Sequence, residues 1–125
     1  MDDSILNDIK KLLGIPESND HFDKDVILFI NAAFATLFQL GVGPKEQAYK
    51  IESSANTWNE FIVDEKNIEN VKTYIYMNVR LAFDPPSTGP AMQSLKDLLK
   101  ETEWRLNVAC DKEAYILEKG GESWT

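Results

Sequence analysis

Residues 71–86 read VKTYIYMNVRLAFDPP, and this stretch decides the fold class. Its apolar residues repeat at helical spacing and form two faces, the first with Ile68, Val71, Ile75, Val79 and Ala82, the second with Tyr74, Met77 and Leu81. Two apolar faces predict a helix in the centre of the fold. The helix should span residues 67–83 and end before Asp84, because Pro85 disfavours the α conformation there.

Upstream of this helix, the sequence predicts two longer helices and a short one. Apolar residues from Ile5 to Leu13 predict a first helix, which Ser4 or Asp3 caps and Gly14 ends. A second, more buried helix should begin near Asp23, with Asp23 as its cap and Phe22 packed on its first turn, and end at Gly41. Residues 45–56 favour a loop, and the capping box of Thr57 and Glu60 predicts a short helix through Phe61 and Ile62.

Downstream, a last long helix should open at Ser87, Thr88 and Pro90 and continue to Gly120. Its predicted buried side consists of Met92, Leu95, Leu98, Leu99, Thr102, Leu106 and Ala109. Core packing is also the expected role of most aromatic residues, among them Trp58, Phe61, Tyr74 and Trp104. The predicted fold is therefore all-α, a small bundle of four main helices and one short helix. It forms a single domain over residues 1–119, followed by a flexible C-terminal tail, residues 120–125.

The charge balance limits the range of functions. The 125 residues carry 13 Lys and Arg against 21 Asp and Glu, a net charge of −8. Such a chain lacks the clustered bases that hold nucleic acid by its phosphates or bind an anionic membrane. The single cysteine, Cys110, excludes an intrachain disulfide, and neither a signal peptide nor an apolar run of membrane length is visible. We expect a soluble protein of the cytosol.

Motifs that carry chemistry are weak in this sequence. His21 stands without a second His or Cys at ligand spacing, and a calcium loop counted from Asp20 lacks the glycine and glutamate that an EF-hand needs. The glycines of residues 41–45 follow a helix and do not match a phosphate loop. Glu60, Asp64 and Glu65 could supply a pair of carboxylates, but the charged start of a helix explains these acids equally well. We therefore predict no catalytic, cofactor-binding or metal-binding residue, and no enzymatic activity.

Two groups of residues are candidates for an interface. Tyr76, Arg80 and Phe83 share a face that is offset from the main apolar stripe of the central helix. Ile116, Leu117 and Trp124 are apolar residues near the C-terminus with no obvious partner in the core. Faces of this kind in a small domain meet another helix or another subunit.

Four strings, taken in order, resemble a known family: NAAFATLFQLGVGP (31–44), TWNEF (57–61), VKTYIYMNVRLAFDPP (71–86) and EWRLN (103–107). They are similar to the head–tail connector proteins of long-tailed bacteriophages, also called adaptor or DNA-packaging proteins, over residues 5–110. The resemblance implies a helical protein without catalytic residues. Such proteins form a ring beneath the twelvefold portal, extend the DNA channel, help retain the packaged DNA and present a surface to a tail-side completion protein.

The resemblance also implies partners and a location. The partners are the portal protein, the tail-side protein and further copies of the chain, while DNA passes through without specific binding and no membrane is involved. The protein is expected at the head–tail interface of the virion, after assembly in the cytoplasm of the bacterial host. The segment with Tyr115, Ile116 and Leu117 resembles the part of related adaptors that reaches toward the portal.

An acidic channel wall suits this role, because it repels DNA phosphates and lets the duplex slide. The candidate channel acids are Glu17, Asp20, Asp23, Asp25, Asp64, Glu65 and Glu69. The alternative is a small acidic helical interaction module, such as a phage-encoded inhibitor or a DNA mimic, although the interleaved acids and bases weaken it. A helix-turn-helix regulator is disfavoured by the absence of a basic recognition helix.

Overall fold

The structure, a computed structural model, describes residues 4–43, 46–61 and 65–118, and the side chains of all these except residues 65–67 and 109–118. Over this part the chain forms five helices and no strand: α1 (Ile5–Leu13), α2 (Asp23–Gln39), α3 (Trp58–Phe61), α4 (Glu65–Phe83) and α5 (Gly89–Glu118). The predicted all-α class, with four main helices and one short helix, is confirmed. The predicted tail, residues 120–125, lies outside the described residues.

The first helix is fixed at both ends. The Ser4 side chain accepts a hydrogen bond from the Asn7 amide at 3.2 Å, and Gly14 ends α1 in the left-handed conformation with φ of 82°. Ser4 also pairs with Thr57 in an isolated antiparallel bridge, and the Ile5 amide donates to the Asn56 carbonyl at 3.1 Å. The start of α1 is therefore joined to the residues just before α3, while the helix packs against α2 and α4.

The start of α2 differs from the prediction. Phe22 occupies the cap position and makes no side-chain hydrogen bond there, while Asp23 is the first helical residue. The carboxylate of Asp23 instead pairs with Lys10 Nζ at 2.8 Å. The ring of Phe22 packs edge-on against Phe83 at 5.2 Å between centroids. Asp23 therefore contacts the buried ammonium of Lys10 on α1, and Phe22 contacts the ring of Phe83 on α4, instead of making the predicted contacts at the start of α2.

Helix α4 is the central element, as predicted, and it packs against α1, α2 and α5. It begins at Glu65, two residues before the predicted start. Phe22, before α2, contacts Phe83 at the end of α4, and Phe61, before α4, contacts Phe34 near the end of α2. The two helices are therefore antiparallel. Their shared core contains Val26, Ile30, Phe34, Leu37, Val71, Ile75 and Val79, all of them buried.

The connection between α2 and α3 contains no helix or strand over its described residues 46–56, as predicted, and this part is anchored. The Asn31 side chain donates to the Ile51 carbonyl at 3.0 Å and accepts from the Ile51 amide at 2.8 Å. Tyr49 packs its ring against Phe34 and Phe61. The side chain of Asn31 thus satisfies the backbone N–H and C=O groups of Ile51, which a neighbouring strand would satisfy in a sheet.

Helix α5 begins as predicted, with Pro90 in its first turn and with Thr88 Oγ1 accepting from the Ala91 amide at 3.3 Å. It runs antiparallel to α4, and the Tyr74 hydroxyl donates to Glu103 Oε2 at 3.2 Å. Thr102 and Leu106 are buried as expected. The buried roles predicted for Leu98 and Trp104 are wrong, because α4 covers only the side of α5 that carries Leu95, Leu99, Thr102 and Leu106. The side chain of Ala109 lies outside the described residues.

Candidate interaction surfaces

The predicted interface residues of α4 form a connected set. Arg80 Nη1 donates a hydrogen bond to the Tyr76 hydroxyl at 3.0 Å, and Phe83 holds the edge-on contact with Phe22. All three α4 side chains are half-buried. The Tyr76 hydrogen bond, and then the negative charge of Asp84, raise the pKa of Arg80. The face therefore carries a cation that is hydrogen-bonded to one of its aromatic residues.

One atom of this face has no partner. Arg80 Nε is buried and makes no hydrogen bond among the residues that the structure describes. Guanidinium groups commonly bind carboxylates in a forked geometry that uses two nitrogens.

The predicted C-terminal candidates cannot be placed on a face. Tyr115, Ile116 and Leu117 belong to the backbone of α5, and their side chains lie outside the described part. Trp124 lies outside the described residues altogether.

The predicted channel acids divide into two groups. Glu17, Asp20 and Asp25 are exposed before and at the start of α2, and Asp23 is engaged with Lys10. In the second group, Glu69 is exposed near the start of α4. The side chain of Glu65 and the whole of Asp64 lie outside the described part of the structure. Because α2 and α4 are antiparallel, Glu69 lies at the opposite end of this helix pair from the acids before and at the start of α2. The 19 residues of α4 span about 28 Å.

The largest exposed apolar side chains were not among the predicted site residues. On α5, Trp104 is 65% exposed, Leu98 47% and Val108 41%. Trp104 and Val108 lie one turn apart on the side away from α4, and we call these two residues the α5 outer face. On α2, Leu28 is 62% exposed and lies in line with Ala32 and Ala35, which are also exposed; these three residues form the α2 outer face. Helical spacing could have revealed that these side chains are exposed. Trp104 lies opposite Leu95 and Leu106 on α5, and Leu28 lies opposite Ile30 and Leu37 on α2.

The polar network near α3 is structural in character. The Tyr49 hydroxyl donates to Glu60 Oε1 at 2.7 Å, and Asn56 Nδ2 donates to the same oxygen at 3.1 Å. Burial and then the Glu60 hydrogen bond raise the pKa of Tyr49 to about 12, whereas the Tyr49 and Asn56 hydrogen bonds lower the pKa of Glu60. A second cross-link joins Trp58 Nε1 to Asp8 Oδ2 at 2.7 Å. These contacts join α1 and the loop to α3.

Two other kinds of site are absent from the described ranges. Over these residues, no three His, Cys, Asp or Glu side chains are grouped so that they would hold a metal ion. No helix in the described part of the chain has the length and apolar character of a membrane span.

Comparison with known protein families matches residues 5–113 to the family described as phage connector protein. The match begins at the first residue of α1 and reaches into α5, so it covers α1 to α4 and most of α5. No curated protein and no solved structure matches the chain.

Proposed function

The chain belongs to the phage connector protein family, and from this premise we propose that it forms a ring beneath the portal of the filled capsid. A connector is a structural component of the virion that meets other virion proteins. In the proposed role the ring extends the DNA channel, helps to retain the packaged DNA and presents a surface to the tail-side completion protein. Twelve copies would match the symmetry of the portal, and assembly would take place in the cytoplasm of the bacterial host.

The observation that carries this proposal is the family match over residues 5–113. The surface of the bundle supports it. A ring is built from one contact between two different faces of each subunit. The α5 outer face and the α2 outer face differ in shape and lie on different helices, and α4 packs against both of those helices.

The portal contact is assigned to the C-terminal end of α5. This helix has 30 residues, a length of about 45 Å, whereas α4 has 19. The Tyr74–Glu103 contact sets the alignment of the antiparallel pair, so the last turns of α5, with Tyr115, Ile116 and Leu117, extend beyond the start of α4. A helix end that projects from the bundle is suited to reach a neighbouring protein.

The test is the mass of the purified protein by multi-angle light scattering, alone and with purified portal protein. We expect a portal-bound complex whose mass corresponds to one connector copy for each portal subunit. A variant that ends after residue 113 should lose portal binding while the isolated protein keeps its helical circular dichroism. Absence of any portal complex for the full-length chain would contradict the proposed function.

The alternative, an acidic inhibitor or DNA mimic, has less support. A mimic presents its acids along one face at the spacing of phosphates, whereas the described candidate acids lie at two ends of the α2–α4 pair. The same light-scattering experiment separates the two proposals. An inhibitor stays free of portal and instead forms a complex with a nucleic-acid enzyme of the host.

A further inference from the structure

The α5 outer face has the properties of an interface anchor. Trp104 exposes about two thirds of its side chain beside Val108 on the next turn. Tryptophan is the residue most enriched among those that dominate binding energy, and it acts by filling a pocket on the partner. Glu101 and Arg105, on the same side of the helix, neutralise each other across 2.7 Å. This pair therefore adds no net charge beside the indole.

The α2 outer face has a complementary shape. Leu28 projects from the helix, and the next two positions on the same line are Ala32 and Ala35, whose side chains end at Cβ. Short side chains leave a shallow apolar groove in the helix surface, into which a large side chain of another helix can pack. The groove lies beside a leucine that can close one side of the indole.

The directions of the helices allow these two faces to meet. Both α2 and α5 are antiparallel to α4, so α2 and α5 run in the same direction. Copies related by rotation about an axis that runs along the bundle keep the direction of their helices. Helix α5 of one copy therefore lies parallel to α2 of the next.

The charges favour the same alignment. Asp97 is exposed two turns before Trp104, and Lys24 is exposed one turn before Leu28. With Trp104 seated between Ala32 and Ala35, Asp97 lies beside the Lys24 end of α2. Opposite charges at matching positions fix the register of an interface and disfavour a reversed orientation.

We infer that the α5 outer face of one copy docks on the α2 outer face of a second copy, with Trp104 between Ala32 and Ala35, and that this contact closes the connector ring. The inference rests on the proposed function, because it identifies the faces through which the ring is built. The contact is heterologous, so every subunit uses both faces and a face never meets itself.

Cysteine cross-linking tests the contact. In a Cys110→Ser background, Gln39→Cys and Val108→Cys place thiols on the two faces, one turn beyond Ala35 and Trp104. Treated with a short bis-maleimide in the presence of portal, a mixture of the two single variants should give a covalent dimer. Each single variant alone should stay monomeric, and the double variant should give a ladder of oligomers. A covalent dimer from either single variant alone would overturn the heterologous contact.

Portal binding separates failure of this inference from failure of the proposed function. A double variant that binds portal but gives no ladder means that the ring exists and uses other faces, which overturns the inference alone. A chain that neither binds portal nor forms a ladder overturns both.

A charge exchange provides a second measurement. Asp97→Lys should reduce the yield of the ladder several-fold, and the added Lys24→Asp should restore it. Trp104→Ala should abolish the ladder, whereas Leu12→Ala, the truncation of another exposed apolar residue on α1, should leave it unchanged. Equal ladders from Trp104→Ala and Leu12→Ala would contradict the inference.

Discussion

At the scale of single residues, Tyr74 links the core to the long last helix. Its ring is 1% exposed and its hydroxyl donates to Glu103, and burial followed by the Glu103 charge raises its pKa to about 12. The neutral phenol is therefore favoured in the folded state. Below about pH 10 the Tyr74 phenol is protonated in both the folded and the unfolded chain, so the stability does not depend on pH through this group. Above about pH 10 the unfolded chain releases the proton first, which favours unfolding.

We expect the free energy of unfolding to fall as the pH rises from about 10 towards 12, by about 1 kcal/mol at pH 11 from Tyr74 alone. Urea unfolding followed by circular dichroism between about pH 8 and pH 11 measures this slope. Tyr74→Phe should reduce it. An unchanged slope in Tyr74→Phe would show that burial does not hold this phenol neutral.

Gly14 and Gly43 differ in the space that a Cβ atom would have at each position. Gly14 and Gly43 both have positive φ, 82° and 91°, which strains any L side chain. A Cβ at Gly43 would lie 2.7 Å from Cε1 of buried Phe61, whereas a Cβ at Gly14 would meet nothing within 4 Å. Gly43→Ala should therefore cost about 2–4 kcal/mol and Gly14→Ala about 1 kcal/mol in chemical denaturation. Equal costs would exclude the Phe61 contact as the cause of the difference.

At the scale of elements, the Lys10–Asp23 ion pair joins α1 to α2. The Lys10 side chain is almost fully buried, pairs with Asp23 at 2.8 Å and donates to the Glu17 carbonyl at 3.1 Å, while Asp23 remains partly exposed. Removing the carboxylate leaves a buried ammonium with one neutral partner. Removing the ammonium leaves a carboxylate that water can still reach. The two substitutions should therefore differ in cost.

We expect Asp23→Asn to destabilise the fold by about 2–3 kcal/mol and Lys10→Met by about 1 kcal/mol or less. The double variant should be more stable than Asp23→Asn alone, because it no longer contains the unpaired charge. Thermal and urea unfolding of the three variants give this order. A larger loss for Lys10→Met than for Asp23→Asn would mean that packing of the lysine chain, rather than its charge, holds α1 in place.

The helices themselves were predictable from sequence, but the partners of their side chains were not. Periodic apolar residues and the stop signals at Gly14 and Pro85 are local properties, and the helix boundaries agree with them to within about two residues. The sequence predicts Asp23 as a cap because only hydrogen bonds between neighbouring residues can be inferred from sequence. Its actual partner, Lys10, lies on another helix. Trp104 was predicted to lie in the core with most of the aromatic residues, although its position in the helical repeat indicated the opposite side.

At the scale of the whole molecule, the positions of the acids decide how DNA would meet the ring. The acids before and in the first turn of α2 and Glu69 near the start of α4 lie at opposite ends of a helix pair about 28 Å long. Helices that lie along the channel would thus place one acidic belt at each mouth. Phosphates would be repelled at both openings, and the belts would leave the middle of the channel to other side chains.

Charge reversal at one end tests this arrangement. Asp20 and Asp25 are exposed, and Asp23 is left intact because it pairs with Lys10. In Asp20→Lys/Asp25→Lys, a positive belt at one mouth should attract the phosphates, so portal-bound rings should retain duplex DNA at low salt and release it as salt rises. Virions carrying the variant should eject DNA more slowly, which fluorescence of a DNA-binding dye outside the capsid records.

The matched control is Glu46→Lys/Glu52→Lys, which changes the net charge equally at exposed positions of the loop before α3. Net charge alone would make both variants bind DNA alike, because non-specific attraction depends on the total charge seen at a distance. A local field in a narrow opening acts only on the duplex that passes through it. Retention by the Asp20/Asp25 variant alone therefore identifies the start of α2 as a mouth of the channel, and equal retention by the two variants would remove these acids from the channel wall.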